Sequence, residues 1–253
     1  MKPYTSRHII KINSKKQEIQ DPVAIEKRLR IAVNGKEVLK LYCSPTMIRE
    51  LVAGLIMSEG IIDGSWCAER MEISYSDDIY VDIPAEGRVN LEGATRTSGC
   101  IGGVTFERTL KGENISDKPL TIKAEQLRNL FQKFQRASEL YNLTGCIHSA
   151  SVSDGQRLIV LAEDIGRHNA VDKAIGYCFL ENIPLNDKIM LVSGRLSSEM
   201  VTKCIRWSIP VVVSRTAPTA LSIDMAESKG ITLIGFMRGK RFNIYTHPER
   251  ILI

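Results

Sequence analysis

Two stretches of this chain carry more chemistry than a structural segment needs. The first is Glu163-Asp164-Ile165-Gly166-Arg167-His168-Asn169-Ala170-Val171-Asp172-Lys173, which holds three acids, two bases, one His and one Asn. It follows the apolar run Leu158 to Leu161 and leads into a helical pattern from Ala170, so it reads as the turn between a strand and a helix. Open α/β sheets bind ligands at that carboxyl edge, and so dense a set of charged groups predicts a binding role. The second is Arg96-Thr97-Ser98-Gly99-Cys100-Ile101-Gly102-Gly103, where one thiol stands among three glycines with a base four residues upstream. A nearby cation lowers a thiol's pKa. An exposed thiolate can take up a sulfur atom as a persulfide or attack an electrophile. The plainer alternative is an incidental loop cysteine. Cys178 and Cys204, on helical patterns, read as packed thiols.

Other strand ends also close in polar turns. They are Ser193-Gly194-Arg195, then Ser214-Arg215-Thr216, then Phe236-Met237-Arg238-Gly239-Lys240-Arg241. If their strands are parallel neighbours, Arg167, Arg195, Arg215, Arg238 and Arg241 ring one cleft beside several helix N-termini. Arg forks and helix N-termini both favour phosphate oxygens. Singly, each turn reads as a surface loop, with Ser197 and Thr219 as N-caps; together they predict a site for a ligand with two or more phosphates. No G-x-x-x-x-G-K-[ST] or G-x-G-x-x-G is present. His148 is expected to open a helix as a hydrogen-bonding or capping residue. A zinc deaminase needs H-x-E and P-C-x-x-C, whereas Ala150 takes the Glu position and no such cysteine pair exists. No zinc or other metal site is expected, and Cys146 reads as packed in the core, with its closeness to His148 keeping a reactive role open.

These groups need elements to position them. Asn34-Gly35 between Ile31–Val33 and Val38–Leu41 predicts a hairpin. Ser44 as N-cap and Pro45 at the first helical position predict a helix with Met47, Ile48, Leu51, Val52, Leu55 and Ile56 on one face, ended by Gly60. Ile73–Tyr75 and Ile79–Ile83 suggest a strand pair. Residues 86–119, rich in Gly, Ser, Thr and charge, predict a mobile loop and a domain boundary. Residues 121–143 predict one long amphipathic helix. Strands over 188–192, 210–213, 231–234 and 242–245 then alternate with helices over 170–181, 197–208 and 218–229. That alternation argues for an α/β layer with a largely parallel sheet. With the strand-rich first part it makes an α+β whole of two domains, 1–118 and 119–253.

The totals set the bounds. The chain has 253 residues, 43% hydrophobic and 25% charged, with a net charge of +5. That favours anionic partners over duplex nucleic acid, for which no basic arm is present. No stretch approaches a membrane span or a secretory signal, so a cytoplasmic location is expected. The six cysteines form no C-x-x-C pair, which suits free thiols in a reducing compartment.

Glu163–Gly176 (EDIGRHNAVDKAIG), Ser193–Met200 (SGRLSSEM), Val213–Leu221 (VSRTAPTAL) and Gly235–Tyr245 resemble, in order, the FdhD family of formate dehydrogenase accessory sulfurtransferases. The resemblance spans most of the chain, carried in the first half mainly by Arg96–Gly103. It implies a C-terminal domain with a cytidine-deaminase-like, three-layer fold. It implies transfer of sulfur from a cysteine desulfurase to the molybdenum cofactor, the bis-molybdopterin guanine dinucleotide, for the catalytic subunit of formate dehydrogenase. It further implies a persulfide on Cys100, a cofactor-binding stretch at Phe236–Arg241, guanine nucleotide as a partial analogue, and a homodimer. Arg167, His168, Arg195 and Arg215 join that stretch as candidate cofactor ligands. Two departures stand out. Gly103 replaces the second cysteine of the family's C-x-x-C, and Cys146 replaces a small residue before Ile147-His148. The first keeps open a cofactor-binding chaperone that moves no sulfur. A nucleotide hydrolase is a more distant alternative.

Overall fold

Alternating apolar residues build a first sheet, preceded by a ribbon that no such alternation marks. The computed structural model describes residues 1–91, 94–96, 104–106, 115 and 120–253. The ribbon pairs β1 (Tyr4–Ile12) with β2 (Lys16–Ala24); its residues are mostly exposed, so no buried face patterns it. Next, β3 (Lys27–Val33) and β4 (Lys36–Cys43) form the expected hairpin. Asn34 and Gly35 both take positive φ, 51° and 74°, as the tight turn between twisted strands requires.

The following helix, α1 (Ile48–Glu59), starts later than expected. Met47, not Ser44, holds the N-cap position, and no side chain caps it. Ser44 is engaged elsewhere: its N–H donates to Asp164 Oδ2 (3.0 Å), and its hydroxyl accepts from the Ile165 N–H (3.2 Å). Gly60 ends the helix in the left-handed conformation. Beyond β5 (Ile62–Asp63), the strands β6 (Glu72–Tyr75) and β7 (Ile79–Ile83) complete a four-stranded sheet, ordered β4-β3-β7-β6. β8 (Arg88–Val89) pairs with β5, and β9 (Ala94–Arg96) with β10 (Val104–Phe106). Much of the expected loop over 86–119, the expected boundary at 118/119 and Cys100 itself lie outside the described residues.

The expected single helix over 121–143 is instead β11 (Ile122–Lys123), α2 (Ala124–Ala137) and α3 (Glu139–Thr144). The helical run breaks at Ser138, whose hydroxyl turns back onto Phe134 O (3.0 Å). Glu163 then caps α3, accepting from the Leu140 and Tyr141 N–H groups at 3.0 and 2.9 Å. His148 opens a strand, β12 (His148–Ser153), rather than a helix. Its serines are central in a sheet because they have partners: Ser151 Oγ donates to Val160 O and Ser153 Oγ to Arg157 O, both at 2.6 Å.

The remaining order follows the predicted alternation: β13 (Leu158–Asp164), α4 (Arg167–Leu180), β14 (Ile189–Val192), α5 (Ser198–Arg206), β15 (Val211–Ser214), α6 (Ala220–Lys229), β16 (Thr232–Arg238) and β17 (Arg241–Ile244). A final short strand, β18 (Ile251–Leu252), runs parallel to β11. The large sheet is ordered β13-β12-β14-β15-β16-β17. It is mixed rather than largely parallel, because β12 opposes both of its neighbours and β17 opposes β16. Two reversals restore direction, so β13 points the same way as β14, β15 and β16. Their four carboxyl ends therefore share one edge with the amino end of β12. Three layers result. α2 covers one face through Leu127, Leu130, Phe131 and Phe134, while α4, α5 and α6 cover the other.

The N-terminal unit docks through α1 on α4. The helices touch at glycines: a Cβ on Gly54 would stand 1.9 Å from Asp172 O, and one on Gly176 1.9 Å from Glu50 O. Beside this contact Lys203 of α5 reaches Glu59 of α1 (2.6 Å) and Asp172 of α4 (2.8 Å), all three buried. Burial pulls the Lys203 ammonium down, but Asp172 and Glu59 outweigh it and raise its pKa. Burial pushes the Asp172 carboxyl up to about 6 against the pull of Lys203. Removing one member of such a group leaves uncompensated buried charge. Lys203→Ala is expected to cost about 3–5 kcal/mol of stability, read as a lower urea midpoint.

Candidate functional site

The acidic members of the Glu163–Lys173 stretch are consumed inside the protein, against the expectation that their density marks a ligand site. Glu163 caps α3. Asp164 pairs with Lys173 at 2.6 Å, both side chains fully buried. It also accepts from the Gly166 N–H and the Asn169 amide, each at 2.8 Å. Lys173 donates onward to Ser44 O and Glu163 O, both at 3.1 Å. Asp172 holds Lys203. The first turn of α4 contributes Arg167 and His168, both 5% exposed. His168 Nε2 lies 3.1 Å from Glu199 Oε2 on α5. Arg167 lies beneath Gly194, where a Cβ would stand 3.0 Å from Arg167 Cβ and 3.6 Å from His148 Nδ1.

The strand ends are bonded to one another along the shared edge. The Ser193 N–H donates to Ser149 O (3.0 Å), Ser214 Oγ to Gly194 O (2.6 Å), and the Phe236 N–H to Thr216 O (3.0 Å). Thr219 caps α6 in a reciprocal pair with Ser222, whereas Ser197 sits at the N-cap of α5 without a side-chain cap bond. Over this edge opens a cavity of about 640 Å³. Its apolar wall is Phe131, Phe134 and Tyr141; its polar side is Cys146, His148, Ser149, Ser193, Arg215, Thr216 and Arg238.

Two of the predicted site arginines thus meet in one cavity. Arg215 and Arg238 come from different strand ends, and Arg238 Nε reaches Arg215 O at 3.4 Å. Arg238 also stands 6.0 Å over the Phe236 ring. Arg195 and Arg241 are exposed and outside the lining, and Gly239-Lys240 form the exposed turn between β16 and β17. Met237 points away, buried in the apolar cluster under α2. A bulge over Gly235–Arg238, with Phe236 at positive φ, explains this: it interrupts the alternation of β16 and puts Met237 on the same face as Ile234.

Sequence reasoning missed two lining residues. Cys146 is exposed rather than packed, because it precedes β12 just after the left-handed Gly145 turn. Cys178 and Cys204 are buried as expected, and burial raises their pKa to about 11 and about 12. His148 reaches the cavity because β12 is antiparallel, which brings its first residue to the edge where the other strands end. No local signal in the sequence announces that reversal. Among the described residues, no three His, Cys, Asp or Glu side chains gather in a way that could hold a metal ion, and no helix is long and apolar enough to cross a membrane.

The fold and site define a class: a mixed α/β sheet with an arginine-bearing cavity along its carboxyl edge. Comparison with known proteins narrows that class. The model of the FdhD/NarQ family matches residues 24–252. A sulfur carrier protein FdhD from Bacillus licheniformis is 38% identical over 98% of this chain and 97% of its own length. Its namesake from Bacillus subtilis is 36% identical over 92% of each. A formate dehydrogenase accessory protein from Desulfotalea psychrophila superposes with a TM-score of 0.80 at 28% identity, covering 99% of this chain and all of its own. The chain belongs to the FdhD/NarQ family.

The histidines of the site give the folded protein a pH dependence. Burial holds both His148 and His168 below the ordinary imidazole range; Arg167 adds to this at both, and Glu199 partly offsets it at His168. The folded state then binds fewer protons than the unfolded chain just below pH about 6.5. Stability from these groups is whole above that pH and is lost as the pH falls through the lower folded values. Thermal melts are expected to shift down as pH drops below about 6.5, and His168→Gln to flatten that slope; an unchanged slope would exclude His168 as its source.

Proposed function

We propose that this protein is a sulfur carrier that passes sulfur from a cysteine desulfurase to the molybdenum cofactor of formate dehydrogenase. The cavity over the sheet edge, with Arg215 and Arg238 on separate strand ends, carries this reading: two guanidinium groups suit the phosphates of a bis-molybdopterin guanine dinucleotide. The family membership and the names of the relatives point the same way. Cys100 is the proposed carrier. Its thiolate attacks the outer sulfur of the desulfurase persulfide, forming the new S–S bond as the desulfurase thiolate leaves. The S–S bond of the Cys100 persulfide then breaks: the outer sulfur passes to the cofactor, which is the substrate, and the Cys100 thiolate leaves. The sulfane sulfur becomes sulfide in that step, with two electrons supplied by the reduced substrate or by a thiol reductant. The proposed setting is the cytoplasm, with the protein acting as a homodimer on the catalytic subunit of the client enzyme.

Gly103 favours a second reading. Without the second cysteine of the family motif, the protein would hold the cofactor as a chaperone and move no sulfur. Incubation with an active cysteine desulfurase and cysteine separates the two. A carrier gains about 32 Da, one sulfur atom, on the Cys100 peptide, and Cys100→Ala does not. A chaperone binds guanine nucleotide normally and gains nothing while the desulfurase turns over. For the cavity, Arg238→Ala is expected to weaken GDP binding about tenfold, the loss of one charge-assisted hydrogen bond. Unchanged affinity by calorimetry would remove Arg238 from the site.

A further inference from the structure

The cavity is electrically divided. Arg215 and Arg238 stand over the carboxyl ends of β15 and β16. Over β12 the lining changes to neutral hydrogen-bonding groups, His148 and Ser149, facing the aromatic wall of Phe131, Phe134 and Tyr141. Hydrogen-bond bookkeeping favours one His148 tautomer. Ser193 Oγ accepts from the Ser149 N–H at 2.9 Å, and its other contact is His148 Nδ1 at 3.3 Å. Only the tautomer with its proton on Nε2 lets Nδ1 accept the Ser193 hydroxyl proton, so that the hydroxyl is used as both donor and acceptor. Among the described residues, Nε2 has no hydrogen-bond partner. The titratable and charged groups around the ring are Arg167 and His168 from α4, Asp164 from β13 and Arg195 from the turn after β14; burial first, then Arg167, His168 and Arg195, lower the ring's pKa against the pull of Asp164.

We propose that His148 is a specificity-determining residue of this cavity, its Nε2–H donating to an acceptor atom on the ring system of a bound purine-type nucleotide while Arg215 and Arg238 hold the phosphates. The inference rests on the reading of the cavity as a nucleotide site and adds an orientation to it. Strand spacing supports the division. β12 and β15 are two strands apart in the sheet, roughly 10 Å at about 4.8 Å per strand, which separates ring and phosphates as a nucleoside diphosphate requires. Tyr141, the exposed ring of the apolar wall, offers a flat ligand ring a face, and a single neutral donor suits a ring nitrogen or carbonyl better than a phosphate.

Calorimetry with GDP and with inorganic pyrophosphate tests this, the readout being the ratio of the two affinities. His148→Ala is expected to lower GDP affinity about tenfold and leave pyrophosphate unchanged, so the ratio collapses. His148→Gln, whose amide nitrogen reaches the Nε2 position, should restore most of the ratio. His148→Asn, whose amide reaches only the Nδ1 position, should not. Arg238→Ala should weaken both ligands together and leave the ratio intact. A purely structural role for His148 would move both ligands alike and give Gln no advantage over Asn; that result, or an unchanged ratio in His148→Ala, overturns the inference. If the unaltered protein binds GDP and loses it in Arg238→Ala while the His148 variants keep the ratio, the inference fails and the nucleotide site stands. If the unaltered protein does not bind GDP, the nucleotide reading falls and the inference with it.

Discussion

The buried Asp164–Lys173 ion pair is the contact on which the arrangement of the site depends. Two fully buried charges at 2.6 Å are tolerable only when every remaining polar valence is met. Here they are. Asp164 takes the N–H groups of Ser44 and Gly166 and the Asn169 amide, and Lys173 gives to Ser44 O and Glu163 O. One pair thus fixes the end of β13, the start of α4 and the entry to α1 together. Strand, helix and N-terminal unit cannot move independently without stranding a buried charge.

A second buried group, Lys203 with Glu59 and Asp172, repeats the device at the adjacent residue of α4 and ties in α5. Beside these polar knots, Gly54 and Gly176 let α1 and α4 touch backbone to backbone. Such contact excludes any side chain, so the glycines and the ion pairs act as one joint. The strand ends are in turn cross-bonded by Ser193, Ser214 and Phe236. The cavity therefore sits on a rigid edge, as a site that must hold groups in fixed positions requires.

Polarity along that edge follows from topology. Four strand ends and one strand beginning meet there, because β12 runs against its neighbours. The strand ends bring arginines, and the strand beginning brings Cys146, His148 and Ser149. A parallel β12 would have delivered its carboxyl end, Val152-Ser153, to the same place. The cavity would then have neither its imidazole nor its exposed thiol.

Much of this was legible in the sequence. The Asn34-Gly35 hairpin, the Gly60 stop, the Thr219 cap and the strand–helix alternation after residue 158 each rest on local chemistry, and each stands in the structure. The arginine-bearing turns were also visible, because strand ends followed by helices have a recognisable pattern. Three features were not. The helix break at Ser138 depends on Glu163, a residue distant in the chain. The strand at His148–Ser153 is a run of small polar residues whose partners come only from neighbouring strands. The charges of Glu163–Lys173 look alike on paper, and only packing decides which are spent on internal pairs. Sequence alone determines what each segment prefers, since propensities, turns and caps are local; the tertiary structure decides which polar groups face each other and which face the cavity, since burial and strand direction belong to the whole chain.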